Sequence, residues 1–557
     1  MANTVKLKRS AVQGNAPSTT DLALGELGLN TYDGKLFMKK DDGTEAIVEI
    51  GAGGTDGERD FIASGAIANG NRVVLNADGT VSTITGPAGT QEIGTAAQFA
   101  TSAIGVGSAY DSVNQKVVLV YPNGGSSSRP TAVVGTVSGT SISFGTPVQL
   151  DTNSCWNPQA VYDVASGKVV VIYRDSSDSF KGKAIVGTVS GTSISFGSKV
   201  TYSASGLNYH SIAYDETNEK VVIAFDGGTN TSGRAVVGTV SGTSISFGSD
   251  VSLTGENKDA NFIAAAYDST NGKIVVAYED DGNSGDHGKA VVGTVSGTSI
   301  SFGTPVTFES ASTSQIAIAF DSFQDKIVIS YRDNGNSSYG TAVVGTVSGT
   351  SISFGTPVVF ENTYMITVTS MCFDNDENKV IIAYRAHSGS TEHGGYVIAG
   401  EVSGTSIVFG SSLQFESTSV GQYDTSLSYD SANRRSVLSY RDGTPGVSIV
   451  YKSATSGKEL TSTNYIGLAT ESIAHQATGK ITVTGGINES QSGLTVAESY
   501  YVQSDGTLST TAGTPAVFAG TALSSTKILA NIPEASSSSE LASDTSPQLG
   551  GDLDMNS

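Results

Sequence analysis

The sequence predicts an all-β fold: a seven-bladed β-propeller of four-stranded blades, its ring closed by an N-terminal strand, flanked by small β modules. Three observations predict it. Only 15% of the 557 residues are charged, Gly accounts for 67, and Ser and Thr are plentiful, which suits many short strands joined by tight turns. No window of ten or more residues carries a convincing helical period. The phrase VVGTVSGTSISFG, starting at Val133, returns letter for letter from Val236, Val291 and Val343, with near copies from Ile185 and Val397. A period of this length is the mark of a propeller or a solenoid.

A Tyr/Phe-Asp pair marks each repeat. It falls at Tyr110-Asp111, Tyr162-Asp163, Tyr214-Asp215, Tyr267-Asp268, Phe320-Asp321, Phe373-Asp374 and Tyr429-Asp430. Segment A ends in this pair, as in IAIAFD (316–321). Segment B is the following apolar run, such as KVVVIY (168–173). Segment C is AVVGTV, and segment D is SISFG with the residues after it. In SISF the apolar residues alternate with Ser, so one face of a strand is apolar and the other polar. The A–B and C–D connections are short Gly/Asn/Ser turns of hairpin type. The Asp of each marker reads as a cap of the A–B turn, since an Asp side chain accepts backbone N–H groups a few residues on.

Seven A-B-C sets are followed by only six good D segments. The missing one lies at the other end, where GTQEIGTAAQF (89–99) aligns with GTSISFGTPVQL (139–150). An N-terminal strand that completes the last blade closes the ring and removes two exposed edges. The propeller is expected over 87–452, with an open β-solenoid of the same repeats as the competing fold.

The turns sort the two faces of such a ring. A–B and C–D turns hardly vary, whereas the B–C and D–A loops vary a great deal. A scaffold with one uniform and one varied face can present a binding surface; drift in unconstrained loops is the alternative. The candidate ligand-binding residues on the varied face are Trp156, Tyr209, His210, Tyr364 and Tyr423, with Arg174, Arg332 and Arg385. These three arginines, like Arg441, each follow the B-strand Tyr of their own blade. Aromatic faces and planar polar groups suit saccharides. The arginines read equally as partners of Asp175, Asp333 and Asp442 in ion pairs at the strand ends.

The flanks have their own motifs. Residues 1–58 contain Leu7-Lys8-Arg9, Gly25-Glu26-Leu27, Asn30-Thr31 and Asp33-Gly34-Lys35-Leu36-Phe37, with Asp33-Gly34 and Asp42-Gly43 as hairpin turns. This stretch resembles the short N-terminal module of bacteriophage tail fibres and related virion appendages, which implies anchoring to the particle and trimeric assembly. Residues 59–86 and 453–531 share a style and resemble the two halves of a β module common in such fibres, with YYVQSDGTLSTT (500–511) and STKILA (525–530) near its end. The propeller is thus expected to be inserted into that module, since a closed ring brings its own ends together. Residues 532–557 read as a Ser-rich linker and the start of a further fibre module.

A net charge of −22 argues against a nucleic-acid partner, which needs clustered Lys and Arg. Cys155 and Cys372 are too few and too far apart for a disulfide framework or a zinc site. No signal peptide or membrane-length apolar run is visible. No catalytic residues are assigned: the single Trp excludes the repeated S-x-D-x-G-x-x-W boxes of propeller sialidases, and an Asp repeated in every blade is a turn residue before it is a glycosidase acid. Two oxygen-rich loops, with Asp280, Asp281, Asn283 and Asp286 and with Asp333, Asn334 and Asn336, offer the donors calcium takes, but their spacing does not repeat across blades and solvated turns are the default, so no metal or cofactor is expected. The expectation is a non-enzymatic, trimeric structural protein of the virion, made in the host cytoplasm, contacting other tail proteins through residues 1–58 and a host-surface glycan or protein through the propeller. A polysaccharide-degrading propeller enzyme and a bacterial surface adhesin are the alternatives.

Overall fold

A computed structural model describes residues 8–12, 16–22, 27–30, 35–41, 45–50, 57–77, 79–86, 89–227, 233–253, 259–281, 285–389, 391–417, 420–455, 457–473 and 477–531. The chain is all-β, built from antiparallel sheets mostly of four or five strands. It divides into two compact units. Gly89–Thr455 is one; Met1–Ala88 together with Ser456–Ser557 is the other.

The larger unit repeats one design. In the second repeat, strand A is Cys155–Asp163, B is Lys168–Asp175, C is Lys181–Ser190 and D is Ser193–Phe196. They pair in that order, all antiparallel. Strand B is buried on both faces, and so it is an unbroken Val/Ile run with no alternation. The SISF strand shows the period of two: Ile194 is buried while Ser193 and Ser195 face water. The same burial sequence holds for Ser141–Phe144, Ser244–Phe247, Ser299–Phe302, Ser351–Phe354 and Ser406–Phe409. Strand Val306–Asp321 serves two repeats. It pairs first with the C strand of the fourth and then with the B strand of the fifth.

The turns obey their local chemistry. Asp111 accepts hydrogen bonds from the backbone N–H of Val113 (3.1 Å) and Asn114 (2.9 Å) and from Asn114 Nδ2 (2.8 Å). Asp215, Asp268 and Asp430 hold Asn218, Asn271 and Asn433 in the same way. The marker Asp is therefore a turn cap, as its position predicts. The C–D turn is the two-residue loop Gly139-Thr140, with φ +61° at the glycine, the place where a tight hairpin needs Gly.

The strand from the N-terminal side completes the last sheet. Glu92–Ile93 and Ala97–Ala100 both pair with Gly446–Lys452, the C strand that follows Val420–Asp430 and Arg435–Asp442.

Three kinds of contact recur between successive sheets. An aromatic ring from the outer segment of one sheet packs on the B-strand aromatic and the D-strand Phe of the next: Tyr202 on Phe225 and Phe247, Phe308 on Tyr331 and Phe354, Phe360 on Tyr384 and Phe409. Phe99, on the N-terminal strand, packs likewise on Tyr121 and Phe144 of the first sheet. The marker Tyr of one sheet meets the A–B turn of the one before. The Tyr214 hydroxyl accepts from Ala165 N, that of Tyr267 from Thr217 N, and that of Tyr110 from Ala432 N, in the last sheet's turn. Finally, the glycine ending SISFG lies against the C–D turn of the next sheet. A Cβ on Gly145, Gly197, Gly248, Gly303 or Gly355 would collide with the carbonyl oxygen of Thr192, Thr243, Thr298, Thr350 or Thr405, and one on Gly94 with that of Thr140.

The smaller unit contains a four-stranded sheet, Lys8–Ser10, Leu27–Asn30, Lys35–Asp41 and Glu45–Ile50, whose first two strands run parallel. The expected turns Asp33-Gly34 and Asp42-Gly43 lie outside the described residues. Both flanking strand pairs are present, closing at Asn30↔Lys35 and Asp41↔Glu45. A second sheet interleaves distant segments in the order Glu58–Ile62, Thr478–Thr482, Tyr465–Ala469, Arg72–Leu75, Val81–Thr83. Val73, Val81, Ala469 and Ile481 share one core beneath it. Two pieces of chain thus form one packed module. A third sheet, with Ser499–Val502 and Val517–Ala522 at its centre, shares a core with Val74, Ile84 and Leu468.

Candidate functional site

Towards the end away from the Asp-capped turn, the A and B strands of several repeats carry a cross-strand pair one or two positions from the end of the ladder. These pairs are Trp156↔Arg174, Asn261↔Glu279, Ser314↔Arg332 and Thr367↔Arg385. Residues directly opposed in an antiparallel ladder put their side chains on one face. Each pair sits just before a bulge in the A strand. Asn157, Phe262 and Gln315 take positive φ there, at 48°, 47° and 53°. A bulge bends a strand and re-aims its side chains. The scaffold position is constant while the side chains on it differ, and this makes the varied end of the repeats a candidate site.

The second repeat carries the best-defined cluster. Trp156 and Phe180 are 42% and 41% exposed. Arg174 lies between the two in sequence; it is opposite Trp156 in strand register, and its guanidinium carbon stands 5.0 Å over the Phe180 ring. Its Nη2 donates to Asn208 Oδ1 of the next repeat at 3.3 Å. Burial lowers the Arg174 pKa, opposed by the negative field of Asp226. Asp226 is itself buried and accepts from the backbone N–H of Asn208 and of Tyr209. This holds the Tyr209 loop in place, with the Tyr209 ring 4.9 Å from that of Phe262.

Other candidates fare differently. His210 is a structural residue. It is 1% exposed; its Nε2 is 2.5 Å from the Asn157 carbonyl and its Nδ1 is 2.6 Å from the Tyr202 hydroxyl. A carbonyl only accepts, so Nε2–H donates to it and Nδ1 accepts from Tyr202: the neutral ring satisfies both. Burial pushes its pKa down to about 4. An unfolded His titrates near 6.5, so the unfolded chain takes up a proton first as pH falls. The stability held by neutral His210 is complete above about 6.5 and drains away between about 6.5 and about 4. The His210 ring resonances, followed by NMR, are expected to stay those of a neutral imidazole at pH 5.5. A midpoint near 6.5 would contradict the buried arrangement.

Tyr364 is half-buried, its ring stacked on His393 at 4.0 Å. The side chain of Tyr423 lies outside the described residues. Arg332 donates to Ser338 Oγ (3.0 Å) and Arg385 to Thr367 Oγ1 (3.3 Å). The expected ion pairs of Arg174 with Asp175 and Arg332 with Asp333 do not form among the described residues. Consecutive strand residues point to opposite faces, and each Asp caps its own loop instead: Asp175 accepts from Ser177 N and Asp333 from Asn336 N. Asn283 of the oxygen-rich loop is outside the described residues, and Asp280 is engaged by Lys289.

Asp226, Glu279, Asn208 and Phe180 escaped the sequence reading. The signal for the first two was present, since Asp226 and Glu279 follow Phe225 and Tyr278 where Arg174 and Arg332 follow a B-strand Tyr.

No family model matches the chain, and no curated protein matches it. Among solved structures, the chain is similar to the BP39L lectin from Burkholderia pseudomallei, with 11% identity, a TM-score of 0.48, and coverage of 65% of this chain and 98% of that one. It is also similar to the Dos1 propeller, with 9% identity, a TM-score of 0.39, and coverage of 66% and 96%.

Proposed function

We propose that Gly89–Thr455 is a closed seven-bladed β-propeller, and that the chain is a trimeric virion appendage of the tail-fibre kind whose propeller recognises a glycan on the host surface. Closure is supported by the contacts that run from the last sheet to the first: Phe99 on Tyr121, Tyr110 to Ala432 and Gly94 against Thr140. The virion assignment rests on the motifs of residues 1–58 and of the split β module. Recognition is carried by one observation, the exposed Trp156 and Phe180 flanking Arg174. The C–H face of a pyranose stacks on such rings while a guanidinium and an amide hold its hydroxyls.

Trp156→Ala is expected to weaken binding to host cells and to an immobilised glycan panel by about tenfold or more, the loss typical of a central aromatic anchor. Its melting temperature should barely move, because the ring is half exposed. Unchanged binding by both Trp156→Ala and Phe180→Ala would remove this patch from the site. New reducing ends on incubation with host polysaccharide would replace the binding role with an enzymatic one. Antibody labelling of purified particles tests the virion assignment.

A further inference from the structure

The patch around Arg174 does not stop at the second repeat. Arg174 Nη2 donates to Oδ1 of Asn208, an exposed residue of the third repeat. The backbone N–H groups of Asn208 and Tyr209 both donate to the buried Asp226 carboxylate, at 2.7 and 3.1 Å, so this loop is pinned through its backbone. Tyr209 leads on to the fourth repeat, where its ring stands 4.9 Å from that of Phe262, tilted by 45°. Both residues are half-buried.

Phe262 sits at the bulge of its A strand with φ 47°, and Asn157 holds the same place in the second repeat at 48°. Asn tolerates left-handed backbone, whereas a bulky ring there is an outlier. A residue kept at a conformational cost points to a contact made by its side chain. Next to it, Asn261 is directly opposed to Glu279. Its amide hydrogen-bonds the buried Glu279 carboxyl, and its Nδ2 donates to Asp281 Oδ2 at 3.5 Å. Two carboxyl groups draw the NH2 end of the amide, so Oδ1 turns away from them as an acceptor. A pair of aromatic rings beside a fixed amide repeats, further along the varied ends, the chemistry of Trp156, Phe180 and Asn208.

We propose that Tyr209, Phe262 and Asn261 form a second saccharide subsite beside the Trp156 patch, so that the ligand is a saccharide chain lying across the second, third and fourth repeats and not a single terminal sugar. This rests on the glycan reading above and names its class of ligand. The test titrates oligosaccharide ladders of glucose, N-acetylglucosamine and rhamnose, from the single sugar upward, and follows the fluorescence of Trp156, the chain's only tryptophan. The longer members of a ladder are expected to bind about tenfold more tightly than its monomer, the scale of one further aromatic contact. Phe262→Asn, which uses the residue type the second repeat has at this bulge, and Asn261→Ala should each cancel most of that gain. Both should bind the monomer as the parent does and melt at the parent's temperature. Affinity that does not rise with length, or a rise that either variant retains, overturns the second subsite and leaves the Trp156 patch standing. Loss of monomer binding in the two variants also overturns it, since these residues would then only support the first patch. Failure of every ladder, by fluorescence and by calorimetry, overturns both readings.

Discussion

Phe99→Ala is expected to destabilise the repeat unit by about 3–5 kcal/mol, the range for truncating a buried Phe to Ala. Phe99 is buried, its ring stands 5.1 Å from Tyr121 and 5.9 Å from Phe144, and it covers Gly446. Phe308 occupies the equivalent place, against Tyr331 and Phe354 and over Gly288. The informative comparison is therefore Phe99→Ala with Phe308→Ala, read as shifts in denaturant midpoint. Equal losses mean that the strand from the N-terminal side is as much a part of the repeat unit as any internal strand. A neutral Phe99→Ala beside a damaging Phe308→Ala would show that this strand does not close the last sheet in solution.

Gly197→Ala is expected to cost about 1–3 kcal/mol, the usual penalty of forcing an extra carbon into a packed contact. Its Cβ would run into the backbone carbonyl of Thr243, which cannot swing aside as a side chain would. The protein supplies its own control. Gly410 ends the sixth SISFG-like segment, yet its nearest neighbour is the Ala399 carbonyl at 3.8 Å. The reason lies in topology: the seventh sheet has no C–D hairpin, because its outer strand comes from residues 92–100, so no threonine turn leans on Gly410. Gly410→Ala should be neutral, or slightly stabilising through the unfolded chain. Thermal melts of the two variants decide the matter. Equal losses would mean that the glycine serves the turn itself and not the neighbouring sheet.

The strands were legible because their signals are local. Alternation in SISF, the unbroken run of KVVVIY and the Asp-capped turns each follow from a few adjacent residues. The outer strand at 89–99 was legible because a repeat with a missing member exposes the displaced one. The site was legible only in part. Trp156 and Arg174 fall on one face because both lie at the variable D–A and B–C loops, but burial is a property of the neighbouring repeat, and so the sequence alone makes His210 a ligand candidate although Asn157 and Tyr202 enclose it. Ion pairing of the arginines with the acids next to them in sequence, one of the two readings the sequence leaves open, fails because adjacent strand residues diverge. Asp226 and Glu279 share the arginines' position but carry the opposite charge, so a motif built on repeated Arg does not contain them.

The first and last residues of the larger unit meet. Gly89 and Thr455 are joined by a hydrogen bond from Thr455 N to the Gly89 carbonyl at 3.1 Å, so the larger unit leaves and re-enters the chain at a single point. To the strands of residues 58–83 and 465–482, which belong to one sheet, the whole folded insert is equivalent to a very short loop. The entropy of closing a loop grows with the length of flexible chain between its ends, and once the larger unit is folded that length is almost nothing. The order of events follows: the larger unit must fold before the split module can assemble cheaply, and a chain whose Gly89 and Thr455 are kept apart should lose the sheet shared by residues 58–83 and 465–482 as well.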